Sequence, residues 1–194
     1  SKVKTLYKAK LDPELMKQVK EKYPLLLENV KEGEGEEINA CKQAIKTDPD
    51  DASAYYDLGN AHFNSGKQID LINQPIDEIE AKEAIESYKQ AIRLDPDHKS
   101  AHSSLGAAYI ESGKYEEAIE SCKQAISIDP DYADAHYNLA CSYSLLGDVN
   151  KALESLGRSI DLGFDDIKHI ENDSDLNGLR DEAGYKKLIN KLKS

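Results

Sequence analysis

The sequence predicts an all-α fold, a solenoid of stacked antiparallel helix pairs. One string occurs three times with small changes: CKQAIKTDPDDASAYYDLG from Cys41, YKQAIRLDPDHKSAHSSLG from Tyr88 and CKQAISIDPDYADAHYNLA from Cys122. Pro96 and Pro130 of these strings are 34 residues apart, and Pro49 precedes Pro96 by 34 plus 13 residues. A repeat of this length is typical of two-helix units that bury their apolar faces against neighbouring units.

Residues 97–130 illustrate how one unit forms two helices. Apolar residues recur at helical spacing on both sides of Gly113, and this glycine is suited to end the first helix. Pro130 cannot continue the second helix and therefore marks the end of the unit. Gly106 has no side chain, so it lets the two helices of the pair approach each other closely.

These motifs resemble the tetratricopeptide repeat, whose pattern is W-x2-L-G-x2-Y, then A-x3-F, then A and P. The Leu-Gly pair of the pattern corresponds to Leu58-Gly59, Leu105-Gly106 and Leu139-Ala140. The Trp place holds Tyr55, His102 and His136, and the Phe place holds Tyr88, Cys122 and Leu156. The resemblance covers about residues 50–164 and implies a right-handed superhelix.

We expect a single domain of five segments. A degenerate first unit spans residues 13–49, with a turn at Gly33 and Gly35. The three repeats that follow are 50–96, 97–130 and 131–164, and the first of them carries a 13-residue insertion at 68–80.

Residues 165–194 are expected to form a C-terminal helical cap, and they resemble the tail that often closes arrays of this family. Tyr185, Leu188, Ile189 and Leu192 form one apolar helical stripe in this segment. A cap is needed because the open end of a solenoid exposes an apolar face to water.

The insertion, QIDLINQPIDEIE, lies between the paired helices of its repeat. It predicts a loop followed by a long second helix over about residues 75–94, since Pro75 suits a first helical turn. Its large apolar residues include Ile69, Leu71, Ile72 and Ile76. They either fold back onto the repeats or bury against a partner chain, which includes a second copy of this one.

The composition excludes several classes of function. The formal charge of −12 disfavours nucleic acid as a partner, because phosphate binding needs basic surfaces. No apolar run approaches the roughly 20 residues of a membrane span, and no secretory leader is visible, although a leader trimmed before Ser1 is compatible with the sequence. Three cysteines without C-x-x-C spacing indicate reduced thiols. We therefore expect a cytoplasmic protein.

The resemblance implies that the first helices of successive repeats line a concave groove that holds a peptide. On the first repeat helical periodicity assigns Tyr56, Asp57, Asn60 and Asn64 to this groove, within a stripe that also contains Phe63. The lining residues on the later repeats are Ser103, Ser104, Glu111, Asp134, Tyr137, Asn138 and Cys141.

The predicted lining contains no Lys or Arg, so a ligand carboxylate would lose its hydration there without meeting a cation. Asp57, Glu111 and Asp134 favour a neutral or basic protein segment. The two tyrosines of the lining offer flat apolar contact. We expect an affinity on the order of micromolar, which corresponds to about −8 kcal/mol.

The sequence predicts no catalytic residue, cofactor or metal site. His102 and His136 form a tempting pair, but they stand where the family has a packing aromatic residue, and no third ligand accompanies them. No phosphate-binding glycine loop or nucleophile elbow is present. The predicted function is a protein–protein interaction scaffold or adaptor. The alternative is a self-assembling structural protein that associates through the insertion or an end face.

Overall fold

The computed structural model describes residues 24–70 and 78–193, of which the side chains are described at 35–65 and 80–193. Every regular element in these ranges is helical, which confirms the predicted all-α class. The chain divides into two compact units, Ser1–Leu94 and Asp95–Ser194. No helix within the described ranges is both long enough and apolar enough to span a membrane.

In the first unit the helices are α1 (Pro24–Thr47), α2 (Ala52–Asp70) and α3 (Glu78–Leu94). In the second unit they are α4 (Lys99–Glu111), α5 (Tyr115–Ile128), α6 (Ala133–Leu145), α7 (Val149–Asp161), α8 (Ile167–Asn172), a 3-10 helix (Ser174–Leu179) and α9 (Ala183–Lys193).

The predicted turn at Gly33 and Gly35 is wrong, because α1 is continuous from Pro24 to Thr47. Each glycine costs a helix only about 1 kcal/mol relative to alanine, and the surrounding glutamates favour the helix. A Cβ at Gly35 would meet no atom within 4 Å, so this glycine is not required for a close approach.

The insertion lengthens both helices of its repeat. Helix α3 has 17 residues, against 14 in α5 and 13 in α7, as predicted for a long second helix. Helix α2 has 19 residues against 13 in α4, because it continues past Gly66 to Asp70, where a loop was expected from residue 68. Residues 71–77 lie outside the described ranges.

Close approach of the paired helices depends on glycine at one position in two of the three repeats, and Ala140 takes this position in the third. A Cβ on Gly59 of α2 would lie 2.5 Å from Cε1 of Tyr88 in α3. At the equivalent place, a Cβ on Gly106 of α4 would lie 2.6 Å from Sγ of Cys122 in α5. Both distances are shorter than real Cβ contacts, which confirms that small residues set the helix–helix separation.

In the second unit the turn predicted at Gly113 is present, and an equivalent turn lies at Gly147. Gly113 has φ +70° and Gly147 has φ +78°, a region that only glycine enters without strain. The following residues complete the turn in the same way, since Lys114 N donates to Tyr109 O and Asp148 N donates to Tyr143 O, both at 2.9 Å. These bonds satisfy carbonyls that the helix ends would leave without partners.

The C-terminal segment closes the second unit. Ile170, Leu176 and Leu179 are completely buried in the same core as Leu156. The stripe predicted on α9 is confirmed as core-facing, with Tyr185 and Ile189 buried and the two leucines between and after them half-buried against the core.

Candidate functional site

The candidate site is the face that the first helix of each repeat turns away from its second helix, called here the inner face. In the first unit it belongs to α2, and in the second unit it belongs to α4 and α6. The two units are described separately.

On α2 the predicted residues form a partly exposed face. Asp57 and Asn64 are exposed, whereas Tyr56, Asn60 and Phe63 are half-buried. The Oδ1 atom of Asn60 accepts a hydrogen bond of 2.9 Å from the hydroxyl of Tyr88 in α3. The ring of Tyr56 lies 6.0 Å from that of Tyr88. The second helix of the repeat therefore orients the amide of Asn60 through Tyr88.

The inner face of α2 adjoins α1 through a patch of acidic side chains. Glu37 of α1 and Asp57 of α2 are both exposed, and both act on Cys41 of α1. Burial raises the pKa of the Cys41 thiol, and the Asp57 and Glu37 carboxylates raise it further. Two exposed carboxylates, one on each helix, are thus close enough to Cys41 to act on its thiol.

Between α4 and α6 the predicted residues bond to each other. Asn138 Nδ2 donates to the backbone carbonyl of Ser103 at 3.2 Å and to its Oγ at 3.1 Å. Ser103 is 2% exposed, so this part of the lining holds the two helices together. Ser104 is half-buried. The side chain of Ser103 is therefore inaccessible to a ligand, and the amide nitrogen of Asn138 is already bonded.

The structure corrects the prediction for Tyr137 and Cys141, which are 5% and 3% exposed. The segment from Phe164 to Asp173 lies over them. Phe164 stacks on Tyr137 with ring centroids 4.3 Å apart, and the Tyr137 hydroxyl donates to Asp173 Oδ2 at 2.6 Å. Helical periodicity assigned both residues to the inner face, but it could not reveal that a later segment of the chain covers that face.

The environment of this covered site keeps the Tyr137 phenol and the Cys141 thiol neutral. Burial raises the pKa of Tyr137 well above its usual range, and the neighbouring Cys141 and Asp173 raise it further. Burial also raises the pKa of the Cys141 thiol, with a further contribution from Asp173 and Asp175. The thiol and the phenol therefore remain protonated and serve as hydrogen-bond donors to Asp173.

The same site contains a group of possible metal ligands. Atoms of Cys141, Asp173 and Asp175 lie within 4.8 Å of one another. However, Asp173 Oδ2 already accepts from Tyr137, and its Oδ1 accepts from the backbone N–H of Asp175 at 3.0 Å. These bonds account for the Asp173 carboxylate as the cap of the 3-10 helix, and we assign it that structural role.

Two predicted residues remain accessible in the second unit. Glu111, at the end of α4, and Asp134, in the first turn of α6, are both exposed. The ligand charge that these residues favour stays a prediction.

His102 and His136 have matching structural roles. Nε2 of His102 donates to the carbonyl of Pro96, and Nε2 of His136 donates to the carbonyl of Pro130, both at 3.0 Å. Each imidazole thus ties its helix to the turn that precedes it. The equal geometry is consistent with the packing role that the sequence indicated.

The residues of the insertion contribute little to the description of a site. Leu71, Ile72 and Ile76 lie outside the described residues, and Ile69 is described only as part of the α2 backbone. Their contact with a partner or with a second copy therefore stays a prediction. At the edge of the insertion, the buried His62 pairs with Glu80 of α3 at 2.5 Å between Nδ1 and Oε2.

Sequence reasoning missed Phe164 and Asp173, the residues that cover α6. Phe164 stands where the repeat pattern expects its closing proline, and Asp173 stands directly before the 3-10 helix. An aspartate that caps a short apolar segment is a recognisable local signal. Its second role, as acceptor for Tyr137, depends on a contact between residues 36 positions apart.

Family models match most of the repeat region. A model described as "TPR repeat" matches residues 38–66, 80–112 and 107–147, and one described as "Tetratricopeptide repeat" matches 133–163. No curated protein matches the chain in sequence.

Solved structures match the fold. A crystal structure of MamA protein has a TM-score of 0.63 at 26% identity, and the match covers 93% of this chain and 92% of that one. The second TPR of Spaghetti (RPAP3), bound to the HSP90 peptide SRMEEVD, has a TM-score of 0.50 at 28% identity. That match covers 57% of this chain and 91% of the other. The structural comparison thus agrees with the helix pairs described above.

Proposed function

Because the chain belongs to the tetratricopeptide-repeat family, we propose that it is a non-catalytic scaffold that binds a segment of a partner protein. The observation that carries this proposal is the inner face of α2, where Tyr56, Asn60 and Phe63 are half-buried beside the exposed Asp57. A preformed helical face of this kind offers both apolar contact and hydrogen bonds to an extended or helical segment. The RPAP3 domain, a structural neighbour, is a repeat of this family with a bound peptide.

We further propose that the bound segment is neutral or basic. The predicted lining on α2 exposes Asp57 and contains no Lys or Arg to balance a ligand carboxylate. The predicted lining within the second unit likewise exposes the carboxylates of Glu111 and Asp134 and has no Lys or Arg. Moving an unpaired carboxylate out of water costs free energy, and a few contacts between a short peptide and the protein do not offset that cost. The ligand chemistry therefore differs from that of the acidic peptide SRMEEVD in the RPAP3 complex.

Two peptides of equal length test this proposal. The first is SRMEEVD, and the second is its charge-reversed analogue, in which Lys replaces both Glu and the Asp and the C-terminus is amidated. By fluorescence anisotropy we expect the reversed peptide to bind with a dissociation constant on the order of 10 μM. We expect no binding of SRMEEVD even at a protein concentration ten times that dissociation constant. Equal binding of both peptides would contradict the predicted ligand charge.

Variants of the protein locate the site. Asp57→Lys should weaken binding of the reversed peptide at least tenfold, because it replaces an attractive charge in the site with a repulsive one. Glu154→Lys, on the exposed face of α7, makes the same change of charge outside the inner face and serves as the control. If both variants weaken binding equally, the peptide responds to total charge and the α2 site is refuted.

A further inference from the structure

The inner faces of α2 and α6 are equivalent parts of the repeat. Tyr56 and Asn60 of α2 occupy the places that Tyr137 and Cys141 occupy in α6. At α6 this face is occupied by the chain itself, since Phe164 stacks on the tyrosine ring and Asp173 accepts a hydrogen bond from its hydroxyl. The fold therefore already contains one terminal segment that is bound to an inner-helix face.

The α2 face differs from the α6 face in exposure and in charge. Tyr56 and Phe63 are half-buried and Asp57 is exposed, whereas Tyr137 and Cys141 are nine-tenths buried or more. Glu37 of α1 is a second exposed carboxylate, and both it and Asp57 are close enough to Cys41 to raise the pKa of that thiol. A segment that covers this face should thus supply apolar side chains together with positive charge.

The first 23 residues of the chain have this chemistry. They contain seven lysines against three acidic residues, a formal charge of +4 (7 − 3), in a chain whose total is −12. The lysines are Lys2, Lys4, Lys8, Lys10, Lys17, Lys20 and Lys22. Apolar residues such as Leu6, Tyr7 and Leu11 alternate with them. No other stretch of this length in the sequence carries so large a positive charge.

We propose that residues 1–23 dock on the inner face of α2 in their own chain and compete there with the partner segment. This inference rests on the proposed function, because it concerns the occupant of the same face. The length of the segment permits it. Helix α1 is about 36 Å long at 1.5 Å per residue, whereas 23 residues reach up to about 75 Å when extended.

Competition is measured with the charge-reversed peptide and the full chain. The test variant carries four substitutions in the basic segment: Lys2→Gln, Lys4→Gln, Lys8→Gln and Lys10→Gln. The control variant removes the same charge from the exposed lysines of α9: Lys186→Gln, Lys187→Gln, Lys191→Gln and Lys193→Gln. When another segment competes for a site, the apparent affinity is the intrinsic affinity multiplied by the fraction of molecules in which the site is open. We expect the test variant to bind the peptide about tenfold more tightly than the unchanged chain, and the control variant to stay within twofold.

The outcomes separate docking from general electrostatics. A tenfold gain in the test variant alone supports docking. An equal gain in both variants reflects only the lower net charge, and it overturns the proposal. An unchanged affinity in the test variant also overturns it, because the segment then does not compete.

A second measurement separates this proposal from the proposed function. Carbodiimide joins lysines directly to carboxylates in contact with them, and mass spectrometry identifies the pairs in the full chain. Links from Lys2–Lys10 to Asp57 or Glu37 support docking, even if no peptide binds and the proposed function fails. Their absence overturns docking, even if peptides bind. The same cross-linking is repeated on a mixture of chains labelled with nitrogen-14 and chains labelled with nitrogen-15. A cross-link between a light and a heavy peptide would mean that a second copy supplies the segment. This result would overturn docking within one chain.

Discussion

The inner faces of α2 and α6 derive from the same repeat pattern but have different environments. Helix α6 is covered by the segment that begins at Phe164, and its Tyr137 is 5% exposed. Helix α2 carries the equivalent Tyr56 half-buried, beside the exposed Asp57.

The difference teaches that a position in the repeat does not fix a residue's role. Tyr137 has become part of a core, where its hydroxyl positions the cap through Asp173. Tyr56 stays half-buried, next to the exposed Asp57. Assigning binding residues from the repeat pattern alone therefore treats two different surfaces as one.

The largest expected effect comes from removing the cover over α6. Leu176→Ala deletes a completely buried side chain of the 3-10 helix. We expect the free energy of unfolding to fall by about 2–5 kcal/mol, the usual range for leucine in a core. Urea unfolding followed by circular dichroism measures this change.

Leu146→Ala is the matched control, because Leu146 is 42% exposed in the turn after α6. Its effect should stay within about 0.5 kcal/mol. If the two leucines cost the same, the C-terminal segment does not cover α6 as described.

A smaller effect is expected from the hydroxyl of Tyr137. Tyr137→Phe keeps the ring stacked on Phe164 but leaves Asp173 without its strongest donor. Loss of a bond to a charged, largely buried acceptor should cost about 1–3 kcal/mol. Tyr115→Phe is the control, because at the start of α5 it removes a hydroxyl that makes no hydrogen bond within the described residues. If Tyr137→Phe loses no more stability than this control, the bond to Asp173 contributes nothing.

The smallest perturbation is thiol labelling, which distinguishes the two units without mutation. Burial raises the pKa of Cys122 to about 12, and burial with two carboxylates raises that of Cys141. At pH 8 the half-buried Cys41 should therefore react with a thiol reagent at least tenfold faster than either. Labelled peptides identified by mass spectrometry give the three rates.

The pH dependence has a definite sign. The unperturbed thiol pKa is 9.0, so between pH 9 and about 12 the unfolded chain loses the Cys122 proton that the folded chain retains. The contribution of this thiol to stability is present below pH 9 and is lost as the pH rises.

In the Leu176→Ala variant we expect faster labelling of Cys141 but not of Cys122. Faster labelling of both would indicate loosening of the whole unit.

The repeat itself was predictable because its signals are local. Gly113 and Gly147 end helices through their own backbone conformation, and Gly59 and Gly106 stand at a fixed distance from the residues that they approach. The cap helix was predictable from its apolar stripe.

The parts that could not be predicted depend on competition between segments. Helix α1 continues through Gly33 and Gly35 because neighbouring helix formers outweigh two weak breakers. The cover over Tyr137 depends on a contact with Asp173, far along the chain and outside the repeat period. For Tyr137 the residue itself was recognised, but its partners Phe164 and Asp173 were not encoded in the local repeat pattern.

The glycine contacts have a consequence for how such a chain can change in length. Gly59 meets Tyr88, and Gly106 meets Cys122, so each pair of complementary volumes lies inside a single hairpin. A gene duplication that copies one hairpin therefore copies both members of the pair at once. The two helices of the copied hairpin would therefore pack against each other immediately, without any compensating mutation elsewhere in the gene.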